Sequence, residues 1–111
     1  MSDYIPDKWV VVKFDGEGFD TLYKVFACWY GGYAGSDSWK LNSGITKAML
    51  EGHTYAFEGS SGSVYYCHED SYGTNFYGGG VLENFIEKAK ARGTTIEIMP
   101  EETDWLKLKY E

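Results

Sequence analysis

The chain lacks any long hydrophobic run: its apolar residues nowhere approach the roughly 18 consecutive positions that a membrane-spanning helix requires. Its first residues also lack the basic segment and apolar stretch that are typical of a secretory signal. With only two cysteines, Cys28 and Cys67, both inside apolar runs, it has no disulfide framework. These absences predict a cytoplasmic protein with two buried free thiols and no membrane partner.

Motifs for metal and phosphate binding are also missing. The chain has neither the Cys-x-x-Cys nor the His-x-x-x-His spacing of common metal sites, and it lacks the Gly-x-x-x-x-Gly-Lys-Ser/Thr phosphate loop. Three glycines at positions 78–80 precede a predicted helix, but no lysine or arginine lies between His68 and Glu87 to neutralise a phosphate. We therefore expect no bound cofactor.

Positive charge is scarce. Seventeen acidic residues against ten basic ones give a formal net charge of −7, which repels phosphate backbones and argues against a nucleic-acid partner. An acidic inhibitor that imitates DNA is a further alternative, although the carboxylates here are scattered and do not form spaced rows. A length of 111 residues with 18% aromatic residues predicts one folded domain, residues 1–111.

Hydrophobic alternation predicts several β-strands. Residues 21–30 are apolar on both faces, which is typical of a central strand. Residues 53–58 and 63–69 flank the glycine-containing connection 59–62 and predict a hairpin. The other predicted strands are residues 9–14, 39–45 and 94–99.

One helix is predicted over residues 80–92. Gly93 stands where a left-handed C-terminal cap belongs, and an apolar stripe recurs at helical spacing. The stripe consists of Val81, Leu82, Phe85, Ile86 and Ala89. Residues 46–51 are expected to form a short helical turn and residues 70–80 a loop, while residues 101–110 are expected to form a helical turn, with a last strand as the alternative.

These elements predict an α+β fold: an antiparallel meander of four to five curved strands, one C-terminal helix packed on it, and a late strand at the edge. The chain has ten tyrosines, four tryptophans and six phenylalanines, more than one core of this size needs. The aromatic residues predicted to be buried are Trp9, Phe26, Trp29, Phe57 and Phe85.

The surplus aromatic residues predict a binding surface. Tyrosine among glycine and serine is typical of recognition loops, because its ring offers a large contact area at low entropic cost. Four tyrosines flanked by glycine are expected to be exposed, and two residues in or next to the connection 31–38 join them. The predicted binding residues are Tyr30, Tyr33, Asp37, Trp39, Tyr72 and Tyr77. They predict a non-enzymatic binding or accessory module that recognises a protein partner or itself.

The alternative hypothesis is a small hydrolase or metal-dependent enzyme. Cys67 and the three residues that follow it, His68, Glu69 and Asp70, put a thiol, an imidazole and two carboxylates at one strand end. However, neighbours on a strand point to opposite faces, so Cys67 is expected to pack inward and His68 outward. A zinc site built from Cys28, His53 and Cys67 would require their strands to be neighbours.

Three segments of the chain are distinctive: residues 29–33 (WYGGY), residues 35–45 (GSDSWKLNSGI) and residues 62–68 (GSVYYCH). They resemble small uncharacterised proteins encoded by tailed bacteriophages and bacteria, and the resemblance covers roughly residues 9–82. It implies expression in a bacterial or infected host cell. It carries no established activity and no catalytic residue.

Overall fold

The computed structural model of the protein describes residues 3–16, 18–31 and 37–110. In chain order its elements are β1 (Asp3–Tyr4), β2 (Lys8–Gly16), β3 (Phe19–Trp29), β4 (Ser38–Leu41), β5 (Ile45–Glu51), β6 (Thr54–Gly59), β7 (Val64–His68), a 3₁₀ turn (Glu69–Ser71), α1 (Phe76–Ala91) and β8 (Thr94–Ile98). The strands form two four-stranded sheets. The outer sheet has the order β1-β7-β6-β5, and the central sheet has the order β4-β3-β2-β8. The α+β class is confirmed, but the prediction of one sheet is wrong.

The central sheet is covered on both faces, which explains why its strands are apolar on both sides. Along the middle of β2 and β3, odd-numbered core residues face the outer sheet and even-numbered core residues face α1. The core between the sheets consists of Trp9, Val11, Val25, Ala27, Ile45, Phe57, Tyr65, Cys67 and Trp105. The core beneath the helix consists of Val10, Val12, Phe26, Cys28, Leu82 and Ile96. The central position predicted for residues 21–30 is thus confirmed.

Helix α1 packs on the central sheet along the predicted apolar stripe, all of whose residues contact the core beneath it. The prediction for its end is confirmed, since Gly93 has a φ of 82° and follows the C-cap residue Arg92. The prediction for its start is wrong, because the helix begins at Phe76 and the last residues of the predicted loop 70–80 are helical. Within the described residues, no helix has the length and apolar character needed to cross a membrane.

The chain passes from the central sheet to the outer sheet within the segment predicted as one strand, residues 39–45. Strand β4 ends at Leu41, and Asn42 continues the pairing with β3: its N–H donates to the carbonyl oxygen of Val25 at 3.0 Å, and its Oδ1 accepts the N–H of Val25 at 2.8 Å. Gly44 then turns the chain with a φ of 129°. The helical turn predicted for residues 46–51 is also wrong, since they belong to β5.

The ends of the described chain add an edge strand and an irregular segment. Strand β8 pairs antiparallel with β2 at the edge of the central sheet, as predicted for a late strand. Strand β1 pairs parallel with β7, so the outer sheet is mixed. Residues 101–110 form turns, neither the predicted helix nor a strand.

The predicted aromatic core is confirmed in part. Trp9, Phe26 and Phe57 are buried, whereas Trp29 and Phe85 are only half-buried. The structure also buries Tyr65 and Trp105 between the sheets. Aromatic rings therefore fill the space between the two sheets.

Candidate functional site

The start of α1 is held against the end of β3 by the side chain of Asn75. Its Oδ1 accepts the N–H of Gly78 at 2.6 Å, the bond of a helix N-cap. Its Nδ2 donates to the carbonyl oxygen of Trp29 at 3.2 Å. Gly78 is buried against Cys28, close enough that a Cβ there would clash with the Cys28 sulfur. The residues that follow Trp29 and Asn75 are therefore brought to the same end of the molecule.

Three aromatic side chains lie exposed at this end. Phe76 is 99% exposed, Tyr30 is 55% exposed and Tyr77 is 47% exposed. We call Tyr30, Phe76 and Tyr77 the aromatic rim. A fully exposed phenylalanine on a well-formed helix contributes nothing to the core, so the rim offers apolar surface that burial in an interface would take out of water.

Two depressions flank the Phe76 ring. One has a volume of about 710 Å³ and reaches Leu82 and Ile98, and the other has a volume of about 380 Å³ and reaches Tyr77 and Val81. Phe76 and Gly80 line both of them. Because Gly80 has no side chain, the concave surface beside the Phe76 ring is not filled. It leaves room for side chains of another protein.

Sequence reasoning found two of the three rim residues. Tyr30 and Tyr77 are exposed as predicted, and Tyr33 lies outside the described residues. Phe76 was missed because residues 70–80 were interpreted as a loop. Asn75, a favoured N-cap residue, was the signal that could have found it, since a helix starting there places Phe76 off the apolar stripe.

Tyr72 is not exposed, contrary to the prediction. Its hydroxyl donates to the carbonyl oxygen of Met99 at 2.5 Å and accepts the N–H of Val11 at 3.2 Å. Its ring meets the Trp9 indole edge to face, with ring centres 4.8 Å apart. Tyr72 therefore connects the loop before α1 to the central sheet and lies away from the rim.

Asp37 and Trp39 also make contacts within the fold. Oδ1 of Asp37 accepts the N–H of Gly31 at 2.8 Å, which joins the residue before β4 to the end of β3. The Trp39 ring stacks on Phe26 with ring centres 5.6 Å apart and meets Phe85 edge to face at 5.1 Å. Both side chains therefore have partners within the fold, and binding by Asp37 or Trp39 stays a prediction.

The residues of the enzyme hypothesis are brought together only in part. At one end of the outer sheet, Nδ1 of His53 is hydrogen-bonded to Oε1 of Glu69 at 2.5 Å. Nδ1 of His68 lies 4.0 Å from Oδ2 of Asp70, and the two imidazole centres are 6.4 Å apart. Cys67 faces the opposite way, into the core, as the alternation predicted. Both imidazoles are exposed to solvent, but the thiol does not join them.

The three candidate zinc ligands are also separated by the fold. Cys28 lies on β3 of the central sheet, Cys67 lies on β7 of the outer sheet, and His53 is an exposed turn residue. Within residues 3–16, 18–31 and 37–110, no group of three or more His, Cys, Asp or Glu residues is placed to hold a metal ion.

Both thiols should be slow to react in the folded protein. Cys28 and Cys67 are buried, and burial raises the pKa of each thiol, so the reactive thiolate is disfavoured. We expect dithiobis(nitrobenzoate) at pH 8 to label the native chain at least about tenfold more slowly than the chain in guanidinium chloride. Rapid labelling of either cysteine in native buffer would contradict the burial.

Comparison with known proteins gives no match: no protein-family model, no curated protein and no solved structure is similar to this chain at the required significance. We therefore infer the function from the geometry of the site.

Proposed function

We propose that this protein is a non-enzymatic binding module that recognises a protein partner, or a second copy of itself, through the aromatic rim. The observation that carries this proposal is the exposure of Tyr30, Phe76 and Tyr77 at the junction of β3 and α1, which the bond from Asn75 to Trp29 holds together. Two segments rich in tyrosine and glycine, far apart in sequence, meet there.

Physical chemistry favours a protein as the bound species. Aromatic residues dominate the energetics of protein interfaces, where a few central side chains contribute most of the binding energy. Burying one large apolar side chain contributes about 1.5–3 kcal/mol. The depressions beside Phe76 add concave surface that an apolar side chain of the partner can fill. The resemblance to phage and bacterial proteins supports a partner within a bacterial or infected host cell.

The proposal is tested by removing the rim side chains. We expect the triple variant Tyr30→Ala, Phe76→Ala and Tyr77→Ala to lose its partner, with affinity reduced at least about 100-fold, because each truncated ring removes hot-spot energy. The free energy of unfolding should change little, since the three side chains are exposed. Bacterial proteins captured by the wild-type chain would be purified and titrated by calorimetry, and self-association would be measured by analytical ultracentrifugation.

Matched controls are available elsewhere on the surface. Leu22 and Met49 are also exposed apolar side chains, but they lie on β3 and β5 outside the rim. Leu22→Ala and Met49→Ala should retain wild-type affinity. If the rim variant keeps every captured partner and the same oligomeric mass as the wild type, the proposal is wrong, and equal losses in the control variants would assign binding to a different surface.

A further inference from the structure

Strand β5 forms an open edge of the outer sheet: among the described residues it pairs with β6 alone. All of its residues except Ile45 and Ala48 are exposed, and two of them are large and apolar, Met49 at 38% and Leu50 at 41% exposure. An edge strand carries a row of unpaired N–H and C=O groups that a further strand can bind. This edge therefore offers both backbone groups and apolar side chains to a partner.

The hydrogen bonds of the outer sheet show which backbone groups of β5 face the open side. The N–H of Glu69 donates to the carbonyl oxygen of His53 at 2.8 Å, so the odd-numbered residues of β6 direct their backbone groups at β7. The even-numbered residues of β6 therefore face β5, where their partners are odd-numbered residues. The N–H and C=O groups of Ala48 and Leu50 consequently point away from β6, toward the open side.

The open edge is complementary to itself. In an antiparallel ladder with two-fold symmetry, Ala48 of one copy pairs with Leu50 of the second, and each such pair exchanges both of its N–H···O bonds. The same register sets Lys47 of each copy opposite Glu51 of the other. These are non-hydrogen-bonded pairs, in which the side chains approach most closely. Met49 meets its own copy at the symmetry axis.

Charge favours this register over the other antiparallel ones. Sliding the second copy by one pleat period in either direction sets Met49 opposite Lys47 or opposite Glu51 and separates the unlike charges. Among the described residues neither Lys47 nor Glu51 forms an ion pair, even though Glu58 is the neighbour of Lys47 on β6. A lysine on an edge usually discourages strand pairing, but here the second copy supplies a carboxylate opposite it.

We propose that two copies of this chain associate through β5 and join their outer sheets into one continuous sheet. The surface is separate from the aromatic rim, which lies at the junction of β3 and α1. The register shift between Ile45 and Lys47 falls at the start of the strand, so the regular pairing covers residues 47–51. Such a short interface buries less than the roughly 1,200–2,000 Å² of stable complexes, so we expect a weak dimer with a dissociation constant of about 10⁻⁵–10⁻³ M.

Backbone amides provide a test that is specific for strand pairing. Raising the concentration of the ¹⁵N-labelled full chain from about 20 µM to about 1 mM should slow hydrogen exchange of the Ala48 and Leu50 amides at least about twofold, because their N–H groups become bonded in the dimer. The amides of β8, which is an edge strand of the central sheet, provide the control and should exchange at the same rate at both concentrations.

Charge reversals test the register. Lys47→Glu and Glu51→Lys each set like charges opposite each other in both pairs, and each variant alone should dimerise about tenfold more weakly in sedimentation equilibrium. An equimolar mixture of the two variants should regain wild-type association, because every pair across the mixed interface then joins opposite charges. Lys88→Glu and Glu87→Lys make the same changes in net charge at exposed positions of α1 and should associate like the wild type.

The outcomes separate this proposal from binding at the rim. The triple rim variant should keep the dimer, and its loss there would assign self-association to the rim and overturn pairing through β5. Met49→Ala alters this edge and not the rim, so its effect on the dimer is measured separately from partner affinity. A wild-type chain that stays monomeric at about 1 mM, or a mixture of the charge variants that does not regain association, also overturns the proposal.

Discussion

Replacing Trp105 by alanine is expected to lower the free energy of unfolding by about 3–5 kcal/mol. Trp105 belongs to the irregular segment after β8, yet it is only 2% exposed and lies in the core between the sheets. Its indole stacks on Tyr72 and meets Trp9 and Phe57 at ring-centre distances of 5.8 and 6.4 Å. Truncation would leave a cavity lined by these three aromatic rings.

The neighbouring residue provides the control for this prediction. Leu106 is 49% exposed, so Leu106→Ala should change the free energy of unfolding by less than about 0.5 kcal/mol. Urea denaturation followed by far-ultraviolet circular dichroism measures both variants without depending on tryptophan fluorescence. Equal, small effects for the two variants would mean that the C-terminal segment does not contribute to the core.

Gly78→Ala is expected to destabilise the protein by about 2–3 kcal/mol, although alanine is the better helix former. A Cβ at this position would clash with the Cys28 sulfur and lie 2.8 Å from Oδ1 of Asn75. The helix would have to move away from β3 or lose its N-cap bond. Thermal or urea unfolding of the purified variant measures the loss.

Gly80→Ala is the matched control, because Gly80 is also helical and a Cβ there meets nothing within 4 Å. It should stabilise the protein by about 0.5–1 kcal/mol through the higher helix propensity of alanine. When it is combined with Gly78→Ala, Cys28→Ala removes the sulfur and should restore part of the lost free energy of unfolding. If Gly78→Ala is as stable as Gly80→Ala, the close packing of α1 on β3 is wrong.

Much of the fold could be predicted because the signals are local. The apolar stripe from Val81 to Ala89 and the cap at Gly93 define the helix within one stretch of chain, and the hairpin β6–β7 is marked by its own glycine turn. Residues 21–30 were apolar on both faces, which indicated burial on both sides. That pattern did not reveal which face of the strand packs against a helix and which packs against a second sheet.

The errors come from places where the local pattern has more than one solution. The alternation of residues 39–45 is the same whether the strand stays in one sheet or crosses to another, and only the tertiary bond from Asn42 to Val25 decides where β4 ends. In β5 a register shift between Ile45 and Lys47 interrupts the period of two. The apolar pair Met49 and Leu50 then resembles a helical turn.

The sequence indicated that exposed aromatic side chains form the candidate site, but it did not indicate correctly which residues these are. Tyrosines next to glycines indicated exposed rings, which is correct for Tyr30 and Tyr77 and wrong for Tyr72. Tyr72 differs because its hydroxyl finds two backbone partners on the central sheet. Phe76 could be assigned only once the helix start was known, since its exposure follows from its angular position on α1.

Because both faces of the central sheet are packed, the stability of the helix layer is coupled to that of the outer sheet. Strands β2 and β3 give one face to each core, so detaching either the helix or the outer sheet uncovers side chains of the same two strands. Neither layer can melt without weakening the support of the other. Folding should therefore be strongly cooperative, with the backbone amides of β2 and β3 the last to exchange their hydrogens with water.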